Sequence, residues 1–161
     1  SQPGKGSCFT VEIPAQIDHA PRAARMDEAS GGELAGLRLL LVEDNELNME
    51  IETELLGELG FHIEPAGNGK EALERVAASA PGEIDLVLMD IQMPVMDGWT
   101  ATRTIRALPD PDLAGIPIVA LSANVFESDI QTSLDAGMDA HLAKPVDVPE
   151  LLRTIKEITA R

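Results

Sequence analysis

Four apolar runs in this 161-residue chain each stop at a side chain equipped for chemistry. Leu86-Val-Leu-Met ends at Asp90, and the loop after it closes on Pro94 and Asp97-Gly98. Leu37-Arg-Leu-Leu-Leu-Val ends at Glu43-Asp44-Asn45, Ile116-Pro-Ile-Val-Ala-Leu at Ser122, and His141-Leu-Ala at Lys144-Pro145. In an open parallel sheet, ligands sit just beyond the carboxyl ends of the strands. If the four runs are strands of one such sheet, three acids, a hydroxyl and an ammonium meet at one edge. That set suits a metal ion and a phosphoryl group.

The elements needed to bring these side chains together are legible. Strands are expected at 37–43, 61–65, 84–89, 116–121 and 138–142. The first, third and fourth are almost wholly apolar, as parallel strands covered on both faces must be. Helices alternate with them. Leu47, Ile51, Leu55 and Leu59 recur at four-residue spacing and stop at Gly60. Asn68 with Glu71, Asn124 with Glu127 and Asp147 with Glu150 have the spacing of helix-opening capping boxes. Asp97-Gly98 opens a helix through Ala101, Ile105 and Leu108, which Pro109 and Pro111 break; Asp97 reads as its cap rather than as a metal ligand. A further helix stops at Gly137. Alternating strands and helices with short connections predict an α/β sandwich around a parallel sheet.

Composition excludes several classes of function. The chain is 44% apolar but only 2% aromatic, so its core is aliphatic. A net charge of −16 argues against nucleic acid, which needs clustered Lys and Arg, and against direct contact with an anionic membrane. Cys8 is the only cysteine, which fits a reducing, cytoplasmic compartment. No apolar stretch approaches the length of a membrane span, and no secretory leader opens the chain. The chain begins with Ser1 rather than Met, so it is expected to be a piece of something longer.

The landmarks Glu43-Asp44-Asn45, Met89-Asp90-Ile-Gln-Met-Pro-Val-Met-Asp97-Gly98, Ala120-Leu-Ser-Ala-Asn124, Ala136-Gly-Met-Asp139 and Lys144-Pro145 stand in that order. Together they resemble the receiver domains of two-component signalling, over essentially all of residues 37–160. The resemblance implies a flavodoxin-like (βα)5 doubly wound sandwich with a five-stranded parallel sheet, and phosphorylation on Asp90. The chemistry of the residues agrees. Glu43, Asp44 and Asp90 crowded together need a cation. Mg2+ takes oxygen ligands, here those carboxylates and the backbone carbonyl of Gln92. Asp90 is then the nucleophile that forms an acyl phosphate, Lys144 neutralises the phosphoryl oxygens, and Ser122 donates to one of them. The added charge draws the 122–126 loop inward, which makes Ser122 a switch residue.

The same residues carry plainer readings when taken singly. Asp44 caps a helix as well as it binds a metal, with Asn45 beside it an equal candidate. Lys144 alone is a solvated cation, and Ser122 alone a loop hydroxyl. In receivers resembling this one, the Lys144-Pro145 bond tends to be cis. Where the family usually places Tyr or Phe as an inward-turning switch, three residues before the lysine, this chain has His141. An imidazole swings similarly but titrates near neutral pH.

Residues 1–14 resemble the last hairpin of a histidine kinase ATP-binding domain, and 15–36, rich in Ala, Gly, Pro and charge, read as a linker to a receiver at 37–161. The implied parent is a hybrid sensor histidine kinase. Gly4-Lys5-Gly6-Ser7 lacks the spacing of a phosphate-binding P-loop, so no ATP binding is expected, and residues 1–36 are expected to be untethered. The expected partners are a phosphohistidine on a kinase dimerisation domain and the histidine of a phosphotransfer domain. No DNA-binding output domain is expected after Arg161, as for a relay or regulatory receiver. By itself the piece would catalyse only the phosphorylation and dephosphorylation of its own aspartate. Three rivals stand beside this reading. One is a stand-alone response regulator with an unrelated extension. Another is an interaction module whose acids no longer bind metal. The third is a phosphatase of the haloacid dehalogenase kind, which wants a second acid where Gln92 stands.

Overall fold

Alternation along three apolar strands decides how the sheet is covered. In a strand, successive side chains face opposite ways, so Leu39 and Leu41 enter one core while Leu40 and Val42 enter another. The computed structural model describes residues 34–123 and 126–160. The strand expected at 7–14, most of the expected linker, and Asn124 lie outside the described residues.

The strands are β1 (Arg38–Val42), β2 (His62–Ala66), β3 (Leu86–Asp90), β4 (Ile118–Ser122) and β5 (Ala140–Ala143). Each lies within two residues of its expected place. The helices are α1 (Glu46–Glu58), α2 (Gly69–Ala78), α3 (Gly98–Arg106), α4 (Pro111–Ala114), α5 (Glu127–Asp135) and α6 (Val148–Thr159). All strand pairs are parallel, in the order β2-β1-β3-β4-β5. Pro65, unable to donate to a ladder, sits in the edge strand β2.

One core holds Val87, Met89, Ile118 and Ala120 against Ala72 and Val76 of α2 and Ala101 and Ile105 of α3. The other holds Leu86, Leu88, Val119 and Leu121 against Leu56 of α1 and Leu151, Leu152, Ile155 and Ile158 of α6. Asn68, Asp97 and Asp147 each cap a helix by accepting a backbone N–H with the side chain.

Three expectations need correction. Glu71 does not close its box on Asn68; its carboxylate accepts the N–H of Gly67. Helix α5 begins at Glu127 after Phe126, which provides no side-chain cap. As expected, α3 ends before Pro109, and Asp110 and Pro111 then start the single turn α4, where a proline's missing N–H costs nothing. Residues 34–36 are not untethered: Leu34 is buried in the second core, and the Gly36 N–H donates to Gly60 O at 2.8 Å. Among the described residues no helix is long and apolar enough to cross a membrane.

Candidate phosphoacceptor and metal site

Strand register builds the site. The strand order reverses between β1 and β3, which leaves a crevice at their carboxyl ends. Val42 pairs with Met89, so the residues that follow, Glu43 and Asp90, emerge side by side. Asp90 pairs in turn with Leu121, and Ser122 with Ala143, which brings Ser122 and Lys144 to the same edge. Backbone holds the last pair together, the Lys144 N–H donating to Ser122 O at 2.8 Å.

Glu43, Asp44 and Asp90 each offer one carboxylate oxygen, and these three lie within 4.8 Å of one another. Glu43 is buried, Asp90 half-buried and Asp44 exposed. The ammonium of Lys144 donates to Glu43 and to Asp90 Oδ2, the latter at 2.8 Å. On its other oxygen, Glu43 accepts the Asn45 N–H at 3.0 Å and the Asn48 side-chain amide at 3.3 Å. Asp90 Oδ1 accepts the N–H of Gln92 at 3.0 Å.

These partners set the charge states. Burial alone would raise the pKa of Glu43, but Lys144 and the N–H groups of Asn45 and Asn48 outweigh it and hold the acid below its ordinary value. For Asp90 burial wins over Lys144 and Gln92, and its pKa is raised. Burial lowers the pKa of Lys144, but Asp90, Glu43 and Glu52 together outweigh it, so its pKa is raised. The site is thus an anionic cradle of hard oxygen donors with one ammonium, a donor set that fits Mg2+.

The helix cap after β1 is Asn45, whose side chain accepts the N–H groups of Leu47 and Asn48; Asp44 is left to the acidic cluster. Asp97 caps α3 through the Thr100 N–H, at 2.8 Å, and stands outside that cluster. Ser122 is buried at the end of β4. His141 lies on β5 opposite Ala120 and is not a member of the acidic cluster. Its Nδ1 pairs with Ser133 Oγ at 3.1 Å, and Ser133 also accepts the indole N–H of Trp99 at 3.0 Å. The Lys144–Pro145 bond is cis. In the loop after Asp90, the Met96 N–H donates to Pro94 O at 2.8 Å, closing a γ-turn that holds Val95 at φ +70°. A β-branched residue there is strained by about 1–3 kcal/mol.

Residues 39–156 match the response regulator receiver domain. The chain belongs to this family. The receiver is 44% identical over 162 residues to the aerobic respiration control sensor protein ArcB of Escherichia coli K12, in a match covering 98% of this chain and 19% of ArcB. The chain therefore spans about a fifth or less of the length of the curated relatives it matches. The fold is shared with the receiver domain of sensor histidine kinase PA1611 from Pseudomonas aeruginosa PAO1, at TM-score 0.70 and 36% identity over 79% of this chain and 100% of that one. That domain has a magnesium ion coordinated in its active-site cleft. The receiver domain of the histidine kinase CKI1 from Arabidopsis thaliana, complexed with Mg2+ and BeF3−, superposes at TM-score 0.72 and 32% identity, over 83% of this chain and 96% of that one. As a receiver, this domain serves as a phosphoacceptor in two-component signalling.

Sequence reading overlooked Asn48 and Glu52. On α1 the exposed Asn48 reaches Glu43, the half-buried Glu52 reaches Lys144 and Leu56 is buried, one residue on from Leu47, Ile51 and Leu55. Leu47 and Ile51 are 63% and 55% exposed. The usable signal was the polar pair at four-residue spacing leading into Leu56, which puts all three on one helix face.

Proposed function

We propose that Asp90 is the residue phosphorylated, and that Glu43, Asp44, Asp90 and the Gln92 carbonyl hold Mg2+. The observation that carries this reading is the convergence of Lys144 with Asp90 and Glu43 inside a three-carboxylate cluster at the reversal point of the sheet. An Asp90 oxygen attacks the phosphorus of a phosphohistidine opposite the P–N bond. The P–O bond forms as the P–N bond breaks, and its electron pair leaves with the imidazole. When bound, Mg2+ supplies positive charge against the oxygens of the transferred group. Lys144 adds its ammonium to one of those oxygens and Ser122 its hydroxyl proton to another. The group then passes to the histidine of a phosphotransfer domain or to water.

Converting the carboxylate to an acyl phosphate adds about one negative charge at this edge. Ser122 responds to it, and His141 is the second switch residue, coupled to α3 and α5 through Ser133 and Trp99. The donor is a phosphohistidine on a kinase dimerisation domain; nucleic acid and membrane are not contacted. The parent is a cytoplasmic-facing hybrid histidine kinase, with residues 1–14 the end of its ATP-binding domain, 15–36 the connection, and 37–161 the receiver. A match to ArcB that runs over 98% of the chain, and not only over 39–156, supports that arrangement.

Incubation with Mg2+ and acetyl phosphate, followed by intact mass, tests the reading. A gain of one phosphoryl mass that disappears in Asp90→Asn and with EDTA is expected. No gain with phosphodonor and Mg2+ both in excess would overturn it.

A further inference from the structure

Glu52 is not accounted for by the chemistry proposed above. It stands on α1 one turn after Asn48, with only 13% of its side chain exposed. Its Oε1 lies 3.7 Å from Lys144 Nζ, while Oε2 is buried without a hydrogen-bond partner. The surrounding wall is aliphatic, made by Leu55, Leu56, Leu88, Leu121 and Val146. An ionised group in such a wall is costly. Burial pushes its pKa up, and Lys144 offsets only part of that effect. A leucine would complete the packing of α1 on the sheet. The acid therefore points to a duty at the cation it faces.

Lys144 already donates to Glu43 and to Asp90, the same two carboxylates that a divalent cation needs. Metal and ammonium compete for them. An ammonium displaced from both requires another anion, and Glu52 is the carboxylate within ion-pair reach that lies outside the acidic cluster. A contraction of about 1 Å would bring the pair to the spacing of a charge-assisted hydrogen bond.

We propose that Glu52 is a positioning residue that takes up the Lys144 ammonium when a divalent cation occupies Glu43, Asp44 and Asp90. It thereby keeps the lysine at the rim of the site for arriving phosphoryl oxygens. This inference rests on the Mg2+ reading above, and it concerns binding before any transfer.

A double-mutant cycle tests it. Mg2+ affinity is measured calorimetrically at pH 7.5 on the 161-residue chain, with Trp99 fluorescence as a check, for wild type, Glu52→Gln, Lys144→Met and the double variant. With Lys144 present, Glu52→Gln weakens Mg2+ binding about three- to tenfold; with Lys144→Met the same change costs less than about twofold. Glu52→Asp, which retains the charge on a shorter arm, recovers part of the loss. Glu52→Ala is measured in parallel, and far-UV circular dichroism confirms that each variant is folded. Equal weakening with and without Lys144 would reveal a through-space charge effect and overturn the proposal, as would no weakening in either background. A wild-type chain that binds no Mg2+ at all would overturn the metal reading itself.

Discussion

Gly98, the first residue of α3, packs directly against the backbone of Asp90. A Cβ added to Gly98 would collide with the Asp90 carbonyl oxygen and stand 3.0 Å from Met89 Cγ and 3.1 Å from Ile91 Cα. The Gly98 N–H also donates to Ile91 O at 3.0 Å, so the helix start and the strand end are one rigid unit. The aspartate is therefore aimed by a close approach that only glycine permits.

Gly98→Ala should be destabilising by about 1–3 kcal/mol, the range for overpacking a tight contact. Urea unfolding would read that loss directly. Because the shift falls on Asp90, Mg2+ affinity should drop as well, whereas a stability loss elsewhere in the fold would leave it unchanged.

Filling the acidic cluster should stabilise the fold. Mg2+ at about a hundred times its dissociation constant is expected to contribute about 2.7 kcal/mol. Thermal melts with Mg2+ and with EDTA would show the difference, and Asp44→Asn should shrink it. Lys144→Met removes the competing ammonium, so its Mg2+ affinity should hold or rise while phosphorylation by acetyl phosphate slows about 10²- to 10³-fold.

The stability of Glu52→Leu relative to wild type should depend on pH. The folded pKa of Glu52 is raised above its ordinary 4.5 by burial. The folded state therefore holds the proton more tightly, and wild type loses stability as pH rises from that value through the folded pKa. The leucine variant is spared this loss. It should exceed wild type by about 1 kcal/mol at pH 7, as apolar replacements of buried charges often do, and by less at pH 4. Urea melts at the two pH values would test the sign.

Arg106 anchors the end of α3 away from the site. Its guanidinium donates to Gly137 O at 2.9 Å, to Ala114 O and Ile116 O at 2.7 Å each, and to Asp139 Oδ2 at 2.9 Å. Asp139 in turn accepts the Ile118 N–H at 2.9 Å, which fixes the start of β4. Arg106→Met should cost about 2–4 kcal/mol by orphaning these carbonyls and the acid. Arg106→Lys should recover little, because an ammonium lacks the planar fork. Chemical denaturation of the two variants would decide it.

The strands, and the four strand-end groups, were legible because local signals sufficed. Apolar runs closed by Glu43, Asp90, Ser122 and Lys144 carry their meaning within a few residues, and the caps Asn68, Asp97 and Asp147 act on N–H groups three positions away. Helix α1 misled for the opposite reason. Leu47 and Ile51 continue a helical period on the exposed side, while the side chains that reach the site are Asn48 and Glu52, whose value depends on Glu43 and Lys144.

The sequence by itself determined which segments are strands, that they lie parallel, and which side chains stand at their ends, since periodicity and turn chemistry are properties of neighbouring residues. Tertiary structure alone decided the strand order and register that set Lys144, 54 residues along the chain from Asp90, at 2.8 Å from it. It also decided which acid among many in α1 faces inward. Charges interact through distance in space and through burial, and neither is defined until the chain has folded.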